Sequence, residues 1–281
     1  MKKGLVLEGG AMRGMFSAGV TDVFMENEIV FDGVIGVSAG ATFGCNIKSN
    51  QPGRAIRYNL RFAGDKRYCS VKNIFRGEDI FPKKFCYETL PNELDIFDYK
   101  TFAENPLQFF CVVSDCKKGI PLVRELKSCK NGEMDFLRAS ASMPIVSKPV
   151  KIGDNFYLDG GMTSSIPLKQ FEELGFSKNI VVLTQPKDFL KEKSKSILLM
   201  KILLKKFPLL VKAMENRHFT YNNEKKYAFE QEKNGLSLVL CPEKTLGISR
   251  LEKNKDELKR VYEEGRKVAL KNLQKIKQFL Q

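Results

Sequence analysis

One histidine, no tryptophan, no Cys-x-x-Cys pair and no long uninterrupted apolar run mark this chain of 281 residues. Each absence removes a class of chemistry. The single histidine, His218, lies in the basic stretch Glu215-Asn216-Arg217-His218, outside the part that reads as an α/β core. It reads as a surface or interface residue, so the usual Ser-His arrangement is not expected. The seven cysteines, at 45, 69, 86, 111, 116, 129 and 241, are odd in number and scattered. Cys45, Cys111 and Cys241 fall in apolar runs and read as small core residues, so neither a disulfide framework nor a structural zinc is expected. No segment reaches the roughly 18 uncharged apolar residues of a membrane span. Met1-Lys2-Lys3 mimics the start of a signal peptide, but Glu8 and Arg13 cut the apolar run to Gly4–Leu7, and the expected location is cytoplasmic. With 11 prolines, 43% hydrophobic residues and no repeat, the composition is that of an ordinary globular protein.

Acidic residues are the minority charge, giving a net +14, and the excess is uneven: residues 187–281 hold 23 Lys and Arg against 12 Asp and Glu. Such a field suits anionic partners, including an anionic membrane surface reached peripherally. No nucleic-acid-binding motif accompanies it, so nucleic acid is not an expected partner.

The stretch Asp32-Gly33-Val34-Ile35-Gly36-Val37-Ser38-Ala39-Gly40-Ala41 reads as a buried strand entering a sharp turn with a serine at its apex. Gly36 and Gly40, two residues either side of Ser38, remove side chains where the turn would collide with its neighbours. Upstream, the short strand Leu5-Val6-Leu7 runs into Glu8-Gly9-Gly10-Ala11-Met12-Arg13-Gly14 and a helix from about Met15 to Asn27. A dinucleotide-binding turn fits poorly, since Ala11 occupies the middle glycine position and Asp32 begins its strand instead of ending it. The alternative is a nest of backbone N–H groups suited to an oxyanion.

A serine needs a proton acceptor, and with histidine set aside it must be one of 33 carboxylates. Asn155-Phe156-Tyr157-Leu158-Asp159-Gly160-Gly161 is a short strand that ends in an acid and two glycines. Taken alone, Asp-Gly is only a turn signal. Arg138-Ala139-Ser140-Ala141-Ser142-Met143-Pro144 reads as a helix stopped by proline, a support with no chemistry of its own.

Together these four segments, within residues 8–161, resemble the patatin-like phospholipase family. That family carries an Asp-Gly-Gly-Gly-x-Arg/Lys-Gly oxyanion loop, a Gly-x-Ser-x-Gly elbow, a later Asp-Gly-Gly/Ala and an Ala-Ser-x-x-x-Pro segment. Glu8 and Ala11 stand here where the family usually has Asp and Gly. The resemblance implies a Ser38–Asp159 dyad, an oxyanion loop at Gly9, Gly10 and Ala11 with Arg13 and Gly14 following, structural glycines at 36, 40, 160 and 161, and neither metal nor cofactor. It implies a lipid or acyl-ester substrate and phospholipase A or lysophospholipase-type hydrolysis. A thioesterase or acyltransferase would carry the same signature, and a basic membrane-associating protein with a vestigial site is the rival from another class.

Elsewhere, Leu107–Ser114 and Asn179–Thr184 read as strands and Leu168–Leu174 as a helix, giving a βαβ pattern. The expected fold is α/β, with a mainly parallel sheet between helices in a catalytic domain over 1–186 and a basic, mostly helical region over 187–281 packed on it. Residues 48–105 alternate basic and aromatic side chains and read as an amphipathic cap with rings inward and charges outward. Ser194–His218, apolar but broken by lysines and Pro208, leaves three readings: a packing helix, a lid or membrane-surface helix, or a dimer surface. A single one-sided helix is expected from about Asn254 to Phe279.

Overall fold

The computed structural model describes residues 1–281. Five strands form the parallel heart of one sheet. β1 (Lys2–Leu7) lies between β2 (Gly33–Val37) and β7 (Phe176–Val182), β2 pairs with β3 (Gln108–Asp115), and β7 pairs with β8 (Ser237–Leu240). These strands are buried on both faces, which is why they read as continuous apolar runs. In β1, Leu5 and Leu7 face one core while Val6 faces the other; in β3, Phe109, Cys111 and Val113 oppose Phe110 and Val112.

Helices cover both faces. α1 (Met15–Glu26) and α2 (Ala39–Lys48) contribute Phe16, Phe24 and Phe43 to the larger core, joined by Tyr58 and Phe62 of α3 (Arg54–Phe62). α7 (Leu168–Glu173) supplies Leu168 and Phe171 to the other face, where α10 (Arg217–Lys233) adds Tyr221 and Ala228. The short helices α4 (Val71–Phe75) and α5 (Tyr99–Glu104) and the π-helical run Lys84–Leu94 lie between α3 and β3.

β3 explains where the site falls. Its one edge carries β4 (Ile120–Leu126), antiparallel, along Phe109–Asp115. The other edge is shared: β2 pairs with it up to Val37 opposite Val112, and β6 (Asn155–Asp159) takes over antiparallel from Asp159 opposite Val113. A parallel strand running up and an antiparallel strand running down thus end at adjacent positions of the same neighbour. The residue after Val37 is Ser38, and the last residue of β6 is Asp159. Beyond β6 lies β5 (Val150–Ile152), its hairpin partner, and α6 (Glu133–Ser140) precedes that hairpin.

Residues 187–281 do more than pack on the sheet, because β8 extends it. α8 (Ile197–Leu203) and α9 (Pro208–Glu215) are separate, with Pro208 in the first turn of α9, where a missing N–H is harmless. Met200, Leu204, Leu210, Val211 and Met214 bury against Leu158 and Met162. The one long terminal helix expected from sequence is two, α11 (Lys255–Lys271) and α12 (Leu273–Leu280), divided at Asn272. α11 is capped by the Asn254 side chain, which accepts the Asp256 N–H at 2.9 Å. Its Gly265 lies against α1, leaving 2.0 Å between a would-be Cβ and the Phe16 carbonyl oxygen.

The amphipathic reading of 48–105 fails at three positions, the first being Lys48, which is buried with its ammonium donating to the Asn105 and Leu107 carbonyls. Arg54 is buried beside Asp95 at 3.2 Å, and Phe75 is 87% exposed. An ion partner lets the arginine go inside, as its charge requires. Tyr58, Phe62 and Tyr68 do face inward.

Candidate active site

Ser38 occupies the turn between β2 and α2 with φ 55° and ψ −121°. An L residue holds such a conformation only where its surroundings enforce it. A Cβ at Gly36 would stand 2.5 Å from the Gly40 carbonyl oxygen, and one at Gly40 would stand 2.4 Å from that of Leu7, so both glycines are needed for close approach. The Ser38 N–H donates to Ser140 Oγ at 2.8 Å, and the Ser140 hydroxyl donates to the Val112 carbonyl at 2.7 Å. α6 therefore ends by tying the serine backbone to β3.

The Ser38 hydroxyl donates to Asp159 Oδ2 at 2.7 Å. The other carboxylate oxygen accepts the Gly161 N–H at 2.8 Å. Backbone bonds fix the residue as well: its N–H donates to the Ser142 carbonyl at 2.9 Å, and its carbonyl accepts the Ser114 hydroxyl at 2.8 Å. Gly160 turns the chain where a Cβ would lie 2.2 Å from the Val112 carbonyl oxygen. Burial pushes the Asp159 carboxyl above its usual value, against the opposing pull of the Ser38 hydroxyl and the Arg217 guanidinium. A buried carboxylate of this kind is a stronger proton acceptor than an exposed one.

The loop after β1 lies against the serine. A Cβ on Gly9 would stand 3.1 Å from Ser38 Cβ, and the N–H groups of Gly9, Gly10 and Ala11 donate to no protein acceptor. Ala11 sits at φ 50°, in the left-handed region that costs an alanine about 1 kcal/mol. Gly14 packs the end of this loop against α2, leaving 2.6 Å between its would-be Cβ and Ala39 Cβ. Buried Glu8 anchors the start of the loop, accepting the Thr184 N–H at 2.6 Å and the Tyr221 hydroxyl at 3.0 Å. Its carboxyl is raised by burial, with Arg13 opposing.

Ser38 lies on the wall between two cavities. One, open to solvent on one side, is lined by 21 residues of which 16 are hydrophobic, among them Phe43, Tyr58, Tyr68, Tyr87 and Leu90. Its apolar lining suits a hydrocarbon chain. The other, also open to solvent, holds Glu8, Asp159, Glu192, Arg13, Lys191, Arg217, His218 and Arg250. His218 borders this cavity with an unpartnered Nδ1, and the Ser38 hydroxyl is bonded to Asp159 instead. No cluster of three or more His, Cys, Asp or Glu side chains is arranged to hold a metal ion.

Sequence reading placed Ser38, Asp159 and the loop glycines in turns that the fold brings together. The Arg138–Pro144 segment, expected to support the site without chemistry of its own, supplies Ser140 and Ser142, while Ser114 carries no sequence signal. Lys191, Arg217 and Arg250 give no signal, because a basic residue on a polar helix or loop resembles any solvated charge, and Tyr221 is a single aromatic within the polar run of α10.

The family model for patatin-like phospholipases matches residues 5–172, and a second, described as Domain of unknown function (DUF6363), matches residues 207–281. YjjU of Escherichia coli, an uncharacterized protein, is 29% identical over 188 residues, covering 65% of this chain and 52% of that protein. A probable lipid hydrolase, 463L, of Invertebrate iridescent virus 6 is 25% identical over 183 residues, covering 59% of this chain and 62% of the viral protein. The chain thus spans between half and two thirds of the length of these curated relatives. The crystal structure of VipD from Legionella pneumophila aligns with 98% of this chain and 67% of its own at a TM-score of 0.49 and 12% identity.

Proposed function

The chain belongs to the patatin-like phospholipase family, and we propose that it is a lipid acyl hydrolase in which Ser38 attacks an ester carbonyl while Asp159 accepts the serine proton. One observation carries the reading: the 2.7 Å bond from the Ser38 hydroxyl to a buried carboxylate, on the wall of an apolar cavity. The acyl chain enters that cavity. As the carbonyl becomes tetrahedral, its oxygen takes the negative charge and accepts from the N–H groups of Gly9, Gly10 and Ala11, which have no other acceptor. The proton held on Asp159 passes to the leaving alcohol. Water then attacks the acyl-serine, giving its proton to Asp159, and the acid departs as Ser38 recovers its hydrogen. The reacting residues fall within 1–186, and 187–281 closes one side of the site.

The surface beside the polar cavity fits a lipid aggregate. Leu198, Leu199, Ile202 and Leu203 of α8 are 71%, 43%, 69% and 52% exposed, and Lys205 and Lys206 follow them. Apolar side chains flanked by lysines suit an anionic membrane surface, and Met200 of the same helix lines the cavity.

Hydrolysis of a short-chain nitrophenyl ester tests the mechanism. Ser38→Ala and Asp159→Asn are each expected to abolish turnover with the fold retained by circular dichroism, and a fluorophosphonate probe is expected to label the wild type but not Ser38→Ala. Retained turnover in either variant would refute the dyad, and a wild type that neither turns over nor labels would point to a vestigial site.

A further inference from the structure

Four cationic side chains, Arg13, Lys191, Arg217 and Arg250, line the polar cavity beside Ser38. None of them has a carboxylate within salt-bridge distance. Arg217 donates to the Gly161 carbonyl, Lys191 lies 4.1 Å from the centre of the Tyr221 ring, and Arg13 Nε is buried without a partner. Three carboxylates border the cavity: Glu8 is engaged with Thr184 and Tyr221, Asp159 with Ser38 and Gly161, and Glu192 is exposed at the rim and forms no salt bridge with the four cations.

Cations gathered at close range with no salt-bridge partner repel one another, and the cost is visible at Lys191. Burial, with Arg217, Arg13 and Arg250 adding repulsion and Glu8 opposing, pushes its pKa down to about 7. An entering anion relieves that repulsion and supplies the missing acceptors. Ser38 separates this cavity from the apolar one, so an ester whose acyl chain lies on the apolar side presents its alcohol portion to the cations.

We propose that Lys191, Arg217 and Arg250, facing Arg13, form a subsite for a phosphate group carried on the leaving-group side of the substrate. The placement on that side rests on Ser38 being the nucleophile. Arg217 and Arg250 lie in the segment that matches a domain of unknown function, and Lys191 lies outside both matched segments. The C-terminal segment thereby acquires a role: it supplies the cationic wall that selects the substrate. Phosphate chemistry has two sources, the glycerophosphate of a lipid and the phosphates of a coenzyme A thioester.

Binding measured in a Ser38→Ala background separates this proposal from the hydrolase reading, since it needs no turnover. Decanoyl-glycerol 3-phosphate, monodecanoylglycerol and decanoyl-coenzyme A share one acyl chain and are titrated below their micellar concentrations. A phosphate-bearing ligand is expected to bind at least about tenfold more tightly than monodecanoylglycerol, as one or two charge-assisted bonds predict. Adding Arg250→Gln or Lys191→Gln is expected to remove most of that advantage, and Arg250→Lys to keep much of it. If only the coenzyme ligand shows the advantage with the same residue dependence, the subsite stands and its source is the thioester. Equal affinities for all three ligands, or an advantage that survives both glutamine variants, overturns the proposal. Wild-type cleavage of the nitrophenyl ester reports independently on the hydrolase.

Discussion

Replacing Ser140 by alanine tests whether the bond network behind Ser38 and Asp159 holds the proposed nucleophile in its strained turn. The hydroxyl is fully buried and serves twice, accepting the Ser38 N–H at 2.8 Å and donating to the Val112 carbonyl at 2.7 Å. Alanine fills nearly the same space, so the loss is one of hydrogen bonds and not of packing. An orphaned buried N–H costs about 1–3 kcal/mol, and the weakened Val112 carbonyl adds to this, giving an expected destabilisation of about 2–4 kcal/mol. Ser142→Ala, which removes only a hydroxyl bond to the Arg138 carbonyl one turn back, sets the scale for losing a buried serine hydroxyl by itself.

The catalytic effect follows from geometry. Ser38 at φ 55° relaxes once its N–H is released, and the bond to Asp159 lengthens. A misplacement on the order of 1 Å costs about a hundredfold in rate. We expect kcat for a nitrophenyl ester to fall between about tenfold and a hundredfold, with KM changing much less because the apolar cavity is untouched. Urea unfolding and initial rates measure the two effects separately. A Ser140→Ala variant within 0.5 kcal/mol of wild type and within twofold in kcat would refute the argument.

Two further outcomes are expected. Because burial raises the Asp159 carboxyl, the rate falls on acidification as the carboxylate takes its proton, with a midpoint above the ordinary aspartate value, and Arg217→Gln, which removes an opposing cation, moves that midpoint higher still; a profile whose midpoint lies at or below the ordinary value contradicts this. In vesicle sedimentation, wild type binds phosphatidylglycerol in preference to phosphatidylcholine, and Leu198→Asp with Ile202→Asp weakens binding by at least about tenfold, since burying one such side chain is worth about 1.5–3 kcal/mol; equal partitioning of variant and wild type removes α8 from the contact.

What the sequence could and could not disclose follows from the range of each signal. Ser38 between Gly36 and Gly40, and Asp159 before Gly160, are local solutions to crowding, and crowding leaves glycines at fixed offsets. That the two turns, 121 positions apart at Ser38 and Asp159, meet depends instead on β2 and β6 sharing one edge of β3, which no short pattern encodes. β4, with Pro121, Arg124 and Glu125 in its seven residues, has the composition of an edge strand and resembles a loop in sequence. β8 is four residues inside a basic helical region, too short to declare itself before β7 is there to receive it. The same limit hid the cationic wall. Arg217 and Lys191 are ordinary surface charges until α10 docks through Tyr221 onto Glu8, the residue that begins the loop after β1. The site is therefore assembled from both ends of the chain: the N-terminal strands set out Ser38 and Asp159, and the C-terminal helix, bonded to that loop, brings Arg217 against Gly161 beside them.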